Sequence, residues 1–305
     1  MDPLTHMLAG AALGRAGLED KYGKGTVLEL ALLSELPDID QLVLMATGDP
    51  FYILGRRTFT HSIFGFPLLC LAAAAIYKKL RPQVSFRDHF LLGLMACGLH
   101  LCMDLVNSFG VAALYPLSRA RFEFAAVFII DLMFTGLLAA PLVLGQIPKL
   151  RDRQKQLARG FLAAAAFYIA LCFGARAAAA GLLPQKGYVF PEPLGPQRWR
   201  GVVHAGNDRL IYLLEPAKRL ASWRRTVTTM ADDPAVLRVR EHPLAKKLEW
   251  FFKEPVWTLE TRDGKPVAAT VYDLRFESLV LDLAPAFGCR FELDGDGNVV
   301  KSYWK

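Results

Sequence analysis

The stretch FLLGLMACGLHLCMDLVNSF, residues 90–109, decides the architecture. Its length suits a helix crossing a bilayer, which needs about 20 apolar residues. Apart from two cysteines, its ionisable side chains are His100 and Asp104, four apart. On a helix such a pair shares one face. An ionisable group at membrane depth costs roughly 2.5–3.5 kcal/mol on insertion scales and marks a polar interior or a functional site. Working outward, residues 62–80, 124–146 and 160–182 are also apolar enough to span, with Lys78 and Lys79 snorkelling from the end of the shortest. Residues 5–18 and 26–46 are too short or too acidic. They predict a re-entrant or packed helical hairpin with its tip near Lys21 and Lys24, Thr5 capping its first helix and Pro37 ending its second. The expected fold is an all-α polytopic membrane bundle of about four spans plus this hairpin, followed by a small C-terminal soluble α+β domain.

Composition supports that division. The 305 residues are 53% hydrophobic, and the apolar residues concentrate before position 183. Residues 184–196 are Pro-rich and read as a linker between a helical membrane domain, 1–183, and a soluble domain, 197–305. In the latter, 209–214 and 256–261 have strand character, Asp263-Gly264 and Asp294-Gly295 are hairpin-turn pairs, and 233–252 contains a helix. The net charge of +7 collects in two loops between spans, Lys78 to Arg87 and Lys149 to Arg159. The positive-inside rule makes those loops cytoplasmic and the C-terminal domain extracytoplasmic. No nucleic-acid partner is expected, and the bilayer accounts for the charge. The five cysteines form no disulfide framework. The chain opens without a basic n-region, so the N-terminus is expected to be retained, with His6.

Six residues of metal-ligand type lie in or beside these apolar segments: His6, Asp38, Asp40, His61, His100 and Asp104. With the loops inside, His61, His100, Asp104 and Asp131 all fall in the outer half of the membrane, a coincidence of depth that suggests one site. Nitrogen and oxygen donors without cysteine suit zinc, manganese or iron. A catalytic zinc activates a water, and two ions about 3.5–4 Å apart clamp a displacement at phosphorus. Thr60 and Ser62 flank His61 and are placed to orient the ring or bind phosphate; Arg57 is placed to clamp phosphate, and Arg56 to anchor lipid head groups. His89, His204 and His242 read as interface or surface residues. There is no HExxH, GxSxG or P-loop, and the Asp294 turn lacks the acidic twelfth residue of a calcium loop.

The motifs DPLTH at 2–6, LPDID at 36–40, R-x-x-T-H-S at 57–62 and H-x-x-x-D at 100–104 together resemble the YdjM-like family of membrane-bound metal-dependent hydrolases. That family is distantly similar to zinc-dependent phospholipases C and related single-strand nucleases. The resemblance implies phosphoester hydrolysis at a site of one or two ions. Asp38, Asp40 and Asp104 would supply ligands and a base, and the substrate would be a phosphoester, a phospholipid among them. The soluble relatives carry further His and Glu ligands; Glu123 and Asp131 are the candidates to replace them here. The alternatives are an ion or metal transporter and a membrane scaffold with a structural metal.

Overall fold

The computed structural model describes Met1–Trp304. The chain divides into two compact units: Met1–Gly48 with Gly55–Gly174, and Asp49–Leu54 with Ala175–Lys305.

Unit 1 opens with a helical hairpin. α1 (Pro3–Leu13) is capped by Asp2, whose carboxylate accepts from the Thr5 amide at 3.0 Å, and Pro3 occupies the first turn where its missing N–H is harmless. Asp2, rather than Thr5, is therefore the cap; the Thr5 hydroxyl bonds Asp2 and Thr135. A bulged turn at Gly14–Leu18 and the short α2 (Glu19–Tyr22) lead to α3 (Thr26–Leu33), which returns along α1. Gly10 permits that return, since a Cβ there would collide with the Leu30 carbonyl and the Ser34 hydroxyl. After α3, a 3-10 turn at Leu36–Asp38 carries Pro37 and leads into α4 (Ile39–Met45).

α5 (Gly65–Leu80) and α6 (Phe86–Val106) form an antiparallel pair, and α6 is the central element of the unit. Its Leu92 and Ala96 pack with Leu30 and Leu33 of α3 and Ala73 of α5. Its Met103 and Val106 pack with Ala9 of α1, Phe134 and Leu138 of α7 (Leu132–Leu144), and Ala165 and Tyr168 of α8 (Gln154–Ala180).

Among the described residues, two helical segments, Phe86–Val106 and Pro148–Ala180, are long and apolar enough to cross a membrane. A third candidate is the pair Tyr52–His61 and Gly65–Leu80, bent by 73°. The expected span at 124–146 is not formed as one helix. Phe124 and Ala126 turn their amides onto the last carbonyls of α6, Leu105 and Val106, at 2.8 Å each. Leu132–Leu144, with 13 residues, rises only about 20 Å. Apolar composition could not distinguish a span from a segment spent on capping another helix.

Unit 2 contains two four-stranded antiparallel sheets, ordered β1-β2-β3-β4 and β5-β6-β7-β8. The first comprises β1 (Gly187–Pro191), β2 (Trp199–Ala205), β3 (Asp208–Glu215) and β4 (Leu220–Thr228). α9 (Pro234–Arg240) and α10 (Pro243–Phe251) precede the second: β5 (Pro255–Arg262), β6 (Lys265–Asp273), β7 (Gly288–Leu293) and β8 (Val299–Trp304). The stretch 184–196, read as a linker, thus contains a strand paired with β2. Asp263 and Gly264 both take positive φ, as a two-residue hairpin turn requires.

Gly10→Ala should cost about 1–3 kcal/mol of stability through overpacking and so lower the midpoint of thermal unfolding in detergent. Gly98→Ala, whose Cβ meets nothing within 4 Å, should leave it unchanged or slightly raised.

Candidate metal centre

Four buried ligand atoms converge in unit 1, one each from Asp38, His61, His100 and Asp104, all within 4.8 Å of one another. Asp38 ends the Leu36–Asp38 turn, where Pro37 forbids a continuing α-helix. His61 ends a second 3-10 turn at Phe59–His61. His100 and Asp104 sit one turn apart on α6. His61 Nε2 lies 3.1 Å from His100 Nε2, 3.3 Å from Asp38 Oδ1 and 3.4 Å from Asp104 Oδ2. His100 Nε2 lies 3.4 Å from Asp104 Oδ2 and 3.9 Å from Asp38 Oδ1. A metal–ligand distance of 2.0–2.1 Å implies tetrahedral edges of about 3.4 Å, so the spacing fits a single ion.

The hydrogen bonds behind the rings set which nitrogens face inward. His100 Nδ1 is 2.6 Å from the Ser34 carbonyl, an obligate acceptor, so Nδ1 carries the proton and Nε2 a lone pair in the neutral ring. Thr60 donates to Asp40 Oδ2 at 3.2 Å, so its oxygen is left to accept from His61 Nδ1 at 3.0 Å. Two imidazole lone pairs therefore face each other across 3.1 Å beside two carboxylates. Asp104 Oδ2 is buried with no hydrogen-bond partner. Such a set calls for a cation, and a backbone carbonyl or hydroxyl holding the far ring nitrogen is the usual device for orienting a ligating histidine.

Cationic groups surround the cluster. Arg56 reaches Asp38 Oδ1 at 2.7 Å and Asp40 Oδ1 at 3.6 Å. Arg57 is 3% exposed and turned inward: its guanidinium lies 2.9 Å from Asp104 Oδ1, 3.4 Å from Asn107 Oδ1 and over the Phe109 ring. A backbone φ of +57° at Arg57 lets consecutive arginines serve different carboxylates, while its amide donates to Asp40 Oδ2 at 2.8 Å. The Met1 amine contacts Asp104 Oδ1. Burial opposes ionisation of Asp38, but its cationic surroundings, Arg56 among them, outweigh it and hold the carboxyl well below its usual range. Burial, with the Met1 amine and His100, holds His6 neutral.

The other expected residues stand around this group. His6 stacks on His100, ring centroids 3.7 Å apart, with Nε2 3.2 Å from Asp104 Oδ1. Asp40 stands behind His61, with Oδ2 engaged by Thr60 and Arg57 and Oδ1 lacking a hydrogen bond. The Ser62 hydroxyl is spent on its own turn, donating to Phe59 O and accepting from Gly65 N. Asp131 lies apart: it caps α7 and accepts from the Tyr168 hydroxyl at 2.7 Å. His89, read as an interface residue, is buried with Nδ1 2.5 Å from Glu29 Oε1. His242 caps α10, and His204 pairs with Glu254 at 2.7 Å. Sequence reasoning missed Arg56 as a partner of both aspartates, the Ser34 carbonyl and Asn107. The backbone groups carry no sequence signal, and nothing in Arg56-Arg57 says which arginine turns inward.

Residues 1–181 match the family model described as YdjM inner membrane protein, and the chain belongs to that family. It is also 34% identical over 126 residues to the uncharacterized protein YfhP of Bacillus subtilis. That match covers 39% of this chain and 38% of the relative, so the chain spans well under half of that protein's length. No solved structure matches the chain.

Protein purified in detergent should carry a near-stoichiometric divalent ion by elemental analysis, and His100→Ala/Asp104→Ala should carry none. Asp131→Ala should keep the ion and lose about 1 kcal/mol of stability with its cap.

Proposed function

We propose that this chain is an integral membrane metal-dependent hydrolase of a phosphoester, with phospholipids the substrate class that a site within apolar helices most readily meets. The carrying observation is the convergence of two imidazole and two carboxylate acceptors at ion-ligand spacing, with a further carboxylate and an exposed-side arginine beside them. A purely structural ion needs neither of the last two. The ligand types suit zinc, manganese or iron.

When bound, the ion would supply Lewis-acid polarisation and a water acidic enough to act near neutral pH. The chain's own groups do the rest. Asp38, His61, His100 and Asp104 would hold the ion. Asp40 Oδ1, which has no hydrogen-bond partner, would be the proton acceptor. Arg56 reads as the phosphate clamp, because its guanidinium reaches the cluster from its partly exposed side. Arg57 instead holds Asp104 in place, and Thr60 fixes the His61 ring. The family membership supports the setting in a membrane.

One observation favours a second reading. Four protein donors complete a tetrahedron, which is the closed arrangement of structural zinc, whereas a catalytic ion keeps a position open. A five- or six-coordinate manganese or iron would keep positions open with the same four residues.

Metal-loaded protein in mixed micelles should hydrolyse fluorogenic phosphodiesters or phospholipids, stop on chelation and recover on re-addition of the ion. Asp40→Asn should keep the metal and lower kcat by at least about 100-fold. Arg56→Gln should raise KM more than it lowers kcat. Fully loaded protein that turns over none of these esters, and unfolds on chelation, would leave the structural reading.

A further inference from the structure

The first sheet of unit 2 has one face built to receive a helix. Val189, Trp199, Tyr212, Leu214 and Ala221 pack against Ala175, Ala179, Leu182 and Leu183 at the end of α8. Gly187 and Gly201 make the seat, since a Cβ at either would press on the Leu183 side chain. Ala175 and Ala179 belong to the candidate span Pro148–Ala180, of whose most apolar window only 17% is buried. A sheet face that grips the last turns of a spanning helix stands at the depth where that helix leaves the hydrocarbon.

That face runs on past the helix. Trp223 lies opposite Tyr212 in the register, and therefore on the same face, on edge strand β4. It is 58% exposed, an unusual state for the largest side chain in a folded domain. Arg219, exposed, immediately precedes β4, whereas Lys218 is paired with Glu215 at 2.8 Å. Tryptophan near a free arginine fits the membrane–water interface, where the indole sits among head groups and the cation meets anionic lipid.

We propose that the β4 edge, led by Trp223, is seated in the lipid head-group layer of the membrane that α8 crosses. The second unit is then fixed to the bilayer at two places, through α8 and through this edge. The inference is independent of the hydrolase reading, because it rests on the α8 contact and the exposed strand alone.

The test uses full-length protein reconstituted in bilayers containing brominated phosphatidylcholine, a contact quencher of indole fluorescence. All five tryptophans lie at or beyond residue 199, and Trp199 and Trp257 are buried in protein. Wild type should be quenched, more strongly when anionic lipid is included, and Trp223→Phe should lose the larger part of that quenching with its circular dichroism unchanged. Trp304→Phe should keep it. Wild type that is not quenched, or quenching that survives Trp223→Phe, would overturn the proposal. Arg219→Glu supplies a second variant with every tryptophan intact. It should abolish the response to anionic lipid, and an unchanged response would equally overturn the proposal.

Discussion

Two imidazole lone pairs and two carboxylate oxygens lie together in the middle of unit 1, and the helices around them are arranged by the need to balance that charge. The acceptors cannot simply be buried, because an ionised carboxylate out of water demands a partner. Each supporting element answers one part of the demand. α3 ends so that the Ser34 carbonyl fixes His100. The loop after α4 brings two consecutive arginines to three aspartates. α1 lays His6 against His100 and brings the Met1 amine to Asp104. Gly10 matters for the same reason, since it sets how close α1 and α3 approach.

Burial on this scale also says what a substitution does. A carboxylate such as Asp104 has partners on one oxygen and none on the other. Removing it leaves Arg57 as a buried charge without its main partner, which is costlier than the loss of the contact itself. The variant most informative about chemistry is therefore at the partly exposed side, Arg56, while Asp40→Asn keeps the shape of a buried carboxylate bonded to Arg57 and Thr60.

Much of this was legible in the sequence, for physical reasons that can be named. His100 and Asp104 betray themselves because a helix repeats every 3.6 residues and because charge is expensive in an apolar run. Pro37 announces a break, and Asp263-Gly264 announces a hairpin. Other features left no mark. The φ of Arg57 is a property of the folded loop. The segment after Phe124 has the composition of a span yet caps α6, which only the folded chain reveals. Asp131 was matched to the site by depth along its helix, but depth fixes one coordinate of three, and its carboxylate faces Tyr168. His89 followed a basic loop and so looked peripheral, whereas Glu29, sixty residues earlier in the chain, holds it inside.

The four converging side chains all come from residues 38 to 104, the first third of the chain. Chains emerge from the ribosome N-terminus first. The four donor residues are therefore all synthesised before α7, α8 and both sheets. An ion captured at that stage would cross-brace α6 to the two turns that precede it, so the helices arriving afterwards would assemble on a core already tied together.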